Sequence, residues 1–568
     1  MHLVDSLGRS DRLEYVVNLH EQACAIAADA YAQYTNNLGV AMVTTGPGGT
    51  NTLTGLAAAW LDSTPVLFIS GQVKRSDMIG ERGVRQMGFQ EIDIVSIVRP
   101  ITKYAVSILE PDTIQYHLEK AVYLARNGRP GPVWVDIPLD VQDANVTPER
   151  LFGFTPSEIG HQWDKSQLSQ WVRKTIQLLN EAKRPVILAG NGIRLGKAVE
   201  EFYQLIEYIK VPVLTTWKAI DLLPENHLLY AGRPGAVGQR GANFTQQASD
   251  LLLILGARLD LGQTAYNHNG FAPNAKKVMV DIDKAEIEKM MIPIDIPVHA
   301  DIKDFLQEFL RQMNEVSIKD RSRWLLQTKQ WKQRYPVVLP EYWEQKGYVN
   351  DYVLIQVLSE EMTHDDLLIP GSSGACSERT MQAFAVKEGI RVFNSQGLGA
   401  MGFGIPAAIG GCLASGRKRT VSIEGDGGFV MNIQELETVR RLNLPIKFFV
   451  LNNQGYSSIR ATQRNYFNGR YIGSSPSSGL TLPQWSLVAK AFVLPYLRIE
   501  NHDHIRKQVQ RALDIEGPVL TEVMVHPDQP TAPRVITRRL EDGTMVSNPM
   551  EDMWPFLDRD EIQSIIFC

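Results

Sequence analysis

Short apolar runs alternate with longer mixed stretches along most of this chain, and glycine-rich turns separate them. In residues 1–150 the runs YVVNL, VAMVTT and PVLFIS alternate with helical patterns such as HEQACAIAADAYAQY. Residues 165–315 and 346–530 repeat the rhythm, and residues 531–568 follow as a tail. This alternation predicts parallel sheets covered by helices. We therefore predict an α/β protein with three doubly wound parallel-sheet domains.

The most informative stretch runs from Thr420 to Gln463. Its pattern predicts a strand ending at Gly425, a glycine-rich turn, a helix over residues 433–442 and a second strand over residues 446–451. A right-handed crossover makes the two strands parallel. Asp426 and Asn453 then emerge at the carboxyl ends of strands in one sheet, where both side chains can reach one ion.

Oxygen atoms dominate this predicted edge of the sheet, and they suit a hard cation such as Mg²⁺. Asp426 offers a carboxylate, Asn453 an amide oxygen and Gly455 a backbone carbonyl. Gly425, Gly427 and Gly428 let the backbone approach a phosphate closely. An ordinary strand-to-helix turn would also suit Gly-Asp-Gly alone. The Asn452-Asn453 pair after the next strand argues against that simpler interpretation.

Composition restricts the classes of partner. The 568 residues are 44% hydrophobic, and the formal net charge is -5. Such a chain carries no basic excess for nucleic acid or anionic membranes, so we expect a protein that acts on small molecules. The four cysteines are far apart and form no CxxC pair, which favours a reducing, cytoplasmic compartment; burial as apolar fillers, the usual role of cysteines, is the alternative.

Gly425-Asp426-Gly427 followed by Asn452-Asn453 resembles the signature of thiamine-diphosphate enzymes. The resemblance to acetolactate synthases covers nearly the whole chain, through TTGPGGTN (44–51), RQMGFQEIDIVSIVRPITKY (85–104) and QGLGAMGFGIPAAIGG (396–411). It implies a pyrimidine-binding domain over 1–150, a central Rossmann-like domain over 165–315 and a diphosphate- and Mg²⁺-binding domain over 346–530.

The resemblance also implies site residues. Glu21 becomes the catalytic glutamate that hydrogen-bonds the aminopyrimidine, although a first-turn glutamate often only complements the helix dipole. Gln90 is implied as a second catalytic residue. Mg²⁺ ligands are implied at Asp426, Asn453 and Gly455, and substrate contacts at Phe89, Gln90, Lys103 and Thr462. Cofactor contacts are implied at Glu21, Pro47, Asn51, Ser373, Gly399, Met401, Gly425, Asp426, Gly427, Gly428, Asn453, Gly455, Tyr456, Ser457, Ser458 and Ile459.

The central domain lacks GxGxxG, so its glycines alone are weak evidence for a dinucleotide. The resemblance implies a possible FAD that serves no redox role. The matching positions are Gly190, Gly192, Thr215, Arg233, Gly256, Arg258, Asp281 and Asp301. The usual Arg-Phe-Asp-Asp-Arg run is Arg-Leu-Asp-Leu-Gly at 258–262, without the second arginine, and relatives without flavin share this domain.

The implied activity is a carboligase that decarboxylates pyruvate or a similar 2-oxo acid and joins the two-carbon unit to a second carbonyl. Thr462 stands where biosynthetic enzymes have tryptophan, and Ser458 where they have methionine. We therefore expect an acceptor larger or more polar than 2-oxobutyrate. A 2-oxo-acid decarboxylase without ligation and a non-catalytic relative remain alternatives. We also expect a homodimer or homotetramer whose active site lies between subunits, with Glu21 from the partner.

Three further departures from the resembled family stand out. Relatives begin roughly 35 residues earlier, with a strand, a helix and a Gly-Gly loop that lies over the thiazolium. A misassigned start codon, a trimmed sequence and a true loss of that segment are all compatible with the first domain as given. Leu139 replaces a common lysine, and residues 375–377, Ala-Cys-Ser, replace the usual Gln-His.

Overall fold

The computed structural model describes residues 1–160 and 163–566, and it contains three parallel sheets. The first sheet has the order β1-β2-β4-β3. Its strands are β1 (Gly39–Val43), β2 (Val66–Gln72), β3 (Tyr104–Ser107) and β4 (Val133–Pro138). The helices of this domain are α1 (His2–Arg9), α2 (Glu21–Thr35), α3 (Pro47–Asn51), α4 (Leu53–Leu61), α5 (Ile94–Val98), α6 (Ile114–Arg126) and α7 (Leu139–Gln142). Trp134 is fully buried and stacks on Phe68 at 5.3 Å between ring centroids, which centres the core on β2 and β4.

The central sheet has six strands in the order β10-β9-β8-β5-β6-β7. They are β5 (Pro185–Ala189), β6 (Val213–Thr215), β7 (Tyr230–Gly232), β8 (Leu251–Leu255), β9 (Lys276–Asp281) and β10 (Ile296–His299). The helices are α8 (Leu168–Glu181), α9 (Gly192–Leu195), α10 (Val199–Ile209), α11 (Arg240–Gln247), α12 (Lys284–Glu288), α13 (Ile302–Arg311) and α14 (Ser322–Arg334). Strand order reverses between β5 and β8, which leaves a crevice at their carboxyl ends.

The third sheet has the order β12-β11-β13-β14-β16-β15, and strand order reverses between β11 and β13. Its strands are β11 (Leu367–Pro370), β12 (Arg391–Val392), β13 (Thr420–Gly425), β14 (Ile446–Asn452), β15 (Tyr496–Ile499) and β16 (Val519–Met524), and the tail adds the hairpin β17 (Thr537–Arg539) and β18 (Met545–Ser547). The helices are α15 (Asp351–Glu361), α16 (Gly374–Ala383), α17 (Gly404–Ala414), α18 (Asp426–Phe429), α19 (Leu436–Arg441), α20 (Ser457–Tyr466), α21 (Trp485–Ala491), α22 (Ile505–Asp514) and α23 (Arg559–Ile566).

The three-domain α/β architecture is confirmed, and β13 and β14 pair in parallel as expected. Two local predictions were wrong. YVVNL is not a strand, because its backbone runs as an extended loop with Tyr15 and Leu19 about 60% exposed. The glycine-rich turn after Gly425 is instead the first helical turn, α18, and the predicted helix 433–442 is divided into a 3-10 segment, Val430–Glu435, and α19.

Helix packing and a shared lysine are among the contacts that join the domains. Helices α2 and α17 cross so closely at Ala27 and Gly410 that a β carbon on Gly410 would collide with the Ala27 carbonyl. The Lys218 ammonium of the central domain donates to Gln33 Oε1 at 2.6 Å in the first domain and to the Asn394 carbonyl at 2.7 Å in the third. The three sheets are thereby held in one arrangement.

Among the described residues, no helix has both the length and the apolar character to span a membrane. Cys24 is half-buried, and Cys376 and Cys412 are buried, each as a free thiol. Burial raises the pKa of Cys24 to about 11. Cys568 lies outside the described residues.

Candidate active site

Asp426 lies at the reversal point of the third sheet, directly after β13, and is fully buried. Its Oδ1 accepts the Gly427 N–H at 2.8 Å, and its Oδ2 accepts the Gly455 N–H at 3.2 Å. Burial raises the pKa of Asp426 to about 7, against the opposing effect of these amides. A buried carboxylate of this kind is stabilised in its charged form by a cation. The predicted meeting of Asp426 with the Gly455 loop is therefore observed.

Asn453 lies on the same loop, and its side chain is fixed by Arg460. The Arg460 guanidinium donates to Asn453 Oδ1 at 3.0 Å and to the backbone carbonyls of Asn453, Ser474 and Pro527. An amide oxygen has two lone pairs, so one remains for a cation. Arg460 was missed in the sequence reasoning, although it follows Asn453 by seven residues on α20. The donor set fits Mg²⁺ bound to a diphosphate.

Glycines shape the surface around Asp426. Gly374 and Gly455 have φ of +69° and +134°, which favour glycine. Ser458 Oγ accepts the Ala375 N–H at 3.2 Å, which joins the start of α20 to the start of α16 beside Ser373. The remaining predicted contacts lie on the same loops: Tyr456 covers Gly427, Gly428 follows it in α18, Ser457 begins α20, and Ile459 is 43% exposed. These backbones form an open cradle suited to phosphate groups.

The loop that carries Met401 forms the next part of the cradle. Gly399 has φ of +64°, and a β carbon there would lie 3.2 Å from the Ser372 carbonyl. Asp62 of the first domain accepts the backbone N–H groups of Gln396 at 3.0 Å and Gly397 at 2.8 Å. The first domain thus anchors the loop that presents Met401.

Glu21 begins α2, and its Oε2 accepts a hydrogen bond from Asn51 Nδ2 at 3.0 Å. The approach to α2 is held by Glu435, which is fully buried in the third domain. The Glu435 carboxylate accepts the N–H groups of Leu19 at 2.8 Å and His20 at 3.0 Å. Glu435 was also missed in the sequence reasoning, although it lies within the Asp426-to-Asn453 stretch. Within one chain, the predicted catalytic glutamate is positioned by the domain that carries Asp426.

Comparisons with known proteins agree with this geometry. The chain is 34% identical to a probable acetolactate synthase large subunit of Methanocaldococcus jannaschii, over 92% of this chain and 87% of the relative. It is 33% identical to the large subunit of Corynebacterium glutamicum over 98% and 87%, and 34% identical to acetolactate synthase 2, chloroplastic, of Nicotiana tabacum over 94% and 80%. Residues 1–97, 172–309 and 372–523 match the N-terminal TPP binding, central and C-terminal TPP binding domains of thiamine pyrophosphate enzymes.

This chain belongs to the thiamine pyrophosphate enzyme family. Thiamine pyrophosphate is the same molecule as thiamine diphosphate, so the prediction of thiamine diphosphate as the cofactor is confirmed. The resemblance to acetolactate synthase large subunits is confirmed as well.

At the loop predicted to contact substrate, the turn before Pro47 packs against Gln90. Gln90 has φ of +61°, and a β carbon on Gly46 would collide with its carbonyl. The neighbouring Glu91 is buried, and its carboxylate accepts N–H groups of Met87 at 3.1 Å and Gly88 at 2.9 Å, together with that of Ile79. Phe89 is 86% exposed at the tip of this loop. Pro47, Phe89 and Gln90 are therefore brought together.

Lys103 does not join them. Its ammonium donates to the carbonyls of Leu124 and Asn127, the latter at 2.7 Å, and thereby caps the C-terminal end of α6. Burial lowers the pKa of Lys103 to about 8. The structure thus gives Lys103 a structural role in place of the substrate contact. Thr462, in contrast, is exposed on α20, where its Oγ1 donates to the Ser458 carbonyl at 3.1 Å.

The central domain of this thiamine pyrophosphate enzyme contains a cavity of about 770 Å³ at the β5–β8 crevice. Most of the predicted FAD positions line it: Gly192, Gly256, Arg258, Asp281 and Asp301. Gly190 packs behind Gly256, since a β carbon on Gly190 would overlap the Gly256 carbonyl. Burial raises the pKa of Asp281 to about 6.

Two predicted positions lie elsewhere. Thr215 is buried at the end of β6, and Thr216 lines the cavity in its place. The Arg233 guanidinium is only 1% exposed and donates to the carbonyls of Met381, Gln382 and Phe384 in the third domain. Arg233 therefore joins two domains, and its contacts leave no donor facing the cavity.

Proposed function

We propose that this protein is a thiamine-diphosphate-dependent carboligase of the acetolactate synthase type. It would decarboxylate pyruvate or a similar 2-oxo acid and join the two-carbon unit to a second carbonyl. Support comes from the relatives, which are named acetolactate synthases and which this chain matches over most of their length. Intact Glu21, Asp426 and Asn453 favour a catalytic protein over a non-catalytic relative, since no fold requirement accounts for all three.

The residues divide the work as follows. Asp426, Asn453 and the Gly455 carbonyl would hold Mg²⁺, which would bind the diphosphate. The Glu21 carboxylate would accept a hydrogen bond from the aminopyrimidine ring, while Asn51 orients it. When bound, thiamine diphosphate supplies the nucleophilic carbon and the electron sink that decarboxylation requires. Phe89 and Gln90 would exclude water and orient the oxo acid.

The proposal extends to the second substrate, the carbonyl acceptor. Ser458 and Thr462 present small hydroxyl side chains on the exposed face of α20, where an indole and a thioether would otherwise fill the space. The opening favours an acceptor larger or more polar than 2-oxobutyrate, for example a keto sugar nucleotide or another oxo acid.

We further propose that the central cavity binds FAD without redox use. Its volume falls within the range of cofactor pockets, and the Gly190, Gly192 and Gly256 backbones meet at its base. Arg258 lines it and offers a cationic contact for a phosphate. The visible absorption of the purified protein, before and after dialysis against FAD, tests this assignment.

A homo-oligomer is also proposed, with the active site between subunits. Large apolar side chains are exposed close to the site, including Leu19 at 58%, Phe89 at 86%, Phe467 at 60% and Ile472 at 69%. Burial of such side chains against a second copy would be favourable. Sedimentation velocity would detect the dimer or tetramer.

The deciding experiment is steady-state product analysis with pyruvate, thiamine diphosphate and Mg²⁺, with 2-oxobutyrate and bulky carbonyl acceptors in competition. We expect ligated products, with a bulky acceptor preferred, and we expect Thr462→Trp to shift the preference towards small acceptors while Thr462→Ser does not. Preference for pyruvate or 2-oxobutyrate over every bulky acceptor would refute the acceptor proposal. Acetaldehyde as the sole product would indicate a decarboxylase, and no turnover would favour the non-catalytic alternative.

A further inference from the structure

Glu424 is a buried carboxyl group that none of the roles above includes. It is the fifth residue of β13, two residues before Asp426, and only 4% of it is exposed. Burial raises the pKa of Glu424 to about 8, and the groups that oppose this effect are the backbone amides of Gly402 and Gly404. Burial of a carboxyl group in a sheet core is unfavourable unless its contacts offset the loss of hydration, so the surroundings of Glu424 need an explanation.

Three glycine-rich loops converge on this one side chain. A β carbon on Gly371 would lie 3.0 Å from Glu424 Cγ, and one on Gly428 would lie 2.7 Å from Oε1. A β carbon on Gly404 would overlap Oε2. Gly371 belongs to the loop before α16, Gly428 to the α18 turn, and Gly404 to the first turn of α17, directly after the loop that carries Met401. The same loops form the cradle around Asp426.

The chemistry of the contacts indicates what Glu424 does. Its stem packs against Gly371, and its carboxylate packs against Gly404 through Oε2 and against Gly428 through Oε1. One side chain thus sets the spacing of three backbones that have no side chains of their own at the contact. Close packing of three backbones around one buried side chain resists displacement of these loops.

We propose that Glu424 is a positioning residue that holds the three glycine-rich loops at the spacing required by the cofactor diphosphate. The inference deepens the proposed function and rests on thiamine-diphosphate binding, which family membership establishes. Glu424 touches neither cofactor nor substrate in this role. It acts through the backbones of Gly371, Gly404 and Gly428.

The test compares Glu424→Gln, Glu424→Ala and a matched control, Asp366→Asn. Asp366 is also 4% exposed in the same domain, but it pairs with Arg419 before β11 and β13 begin, at the opposite end of the sheet. Thiamine-diphosphate affinity is measured by near-UV circular dichroism titration at saturating Mg²⁺, and thermal unfolding is measured without cofactor. These readouts need no turnover.

We expect Glu424→Ala to weaken thiamine-diphosphate binding by about 10- to 100-fold, as loss of an outer-shell contact does in metal sites, with Glu424→Gln less affected. The Asp366→Asn control should unfold at lower temperature yet bind the cofactor with the wild-type constant. Wild-type affinity in folded Glu424→Ala would overturn the proposal, and if that variant does not fold, wild-type affinity in Glu424→Gln would do so. Wild-type protein that binds the cofactor but forms no ligated product would refute the proposed function and leave this inference standing.

Discussion

Replacement of Glu435 by alanine tests whether the third domain positions the predicted catalytic glutamate. The Glu435 carboxylate accepts hydrogen bonds from the Leu19 and His20 amides at 2.8 and 3.0 Å, from Asn18 Nδ2 at 3.0 Å and from Thr438 Oγ1 at 2.7 Å. All four contacts are lost in the variant. Two of the freed donors are backbone amides that directly precede α2.

The magnitude follows from these contacts. A hydrogen bond to a charged group contributes about 1.5–3 kcal/mol, and solvent can rehydrate part of this half-buried segment. We therefore expect a loss of ~3 kcal/mol in the free energy of unfolding. Displacement of the Glu21 carboxylate by about 1 Å would lower kcat by about 100-fold, since catalysis depends steeply on position.

The assay combines kcat at saturating cofactor with hydrogen exchange of the Leu19 and His20 amides. Glu437→Ala is the matched control, because Glu437 lies two residues away, has a half-exposed side chain and pairs with Arg440 three residues further along. Such a surface pair contributes little, so the control should keep wild-type exchange and rate. Unchanged protection of both amides together with full activity in Glu435→Ala would refute the reasoning.

Two further predictions concern buried carboxyl groups of the first domain. Glu91→Gln should loosen the loop that presents Phe89 and Gln90, so trypsin should cut after Arg82 or Arg85 about tenfold faster than in wild type, and equal cleavage rates would contradict this. Burial raises the pKa of Asp136 to about 6. The native state therefore binds more protons than the unfolded state between about pH 4 and 6. The free energy of unfolding should fall by up to ~3 kcal/mol as pH rises through that window. Urea denaturation should show this slope in wild type and not in Asp136→Asn; matching slopes would contradict it.

Much of the architecture was predictable because it depends on local pattern. The apolar runs at β13 and β14, with glycines between them, predicted two parallel strands and placed Asp426 at the carboxyl edge of the sheet. The glycine positions predicted the phosphate cradle, since a glycine in a loop after a buried strand usually allows a close approach of the backbone. The meeting of Asp426 with Gly455 followed from this topology alone.

The failures involve partners that are distant in sequence. Residues 15–19 resemble a strand in sequence, yet the backbone amides of Leu19 and His20 donate to Glu435, more than 400 residues away. Lys103 and Arg233 carry charges that suit a ligand, but each finds backbone carbonyls at a helix end or in another domain. Spacing along one chain contains no information about which distant carbonyls are left without donors, so such roles require the folded structure.

The position of Asp62, between the central cavity and the loop that leads to Met401, has a thermodynamic consequence. Asp62 and Gln396 both border the central cavity, and Asp62 also fixes the amides of Gln396 and Gly397, which lead to Met401. A molecule that fills the cavity and a cofactor that fills the cradle therefore share one supporting wall. If occupancy of the cavity stiffens that wall, each ligand raises the affinity for the other by the same factor, because binding linkage is reciprocal. The cavity would then act as a structural effector site for catalysis with no electron passing through its ligand.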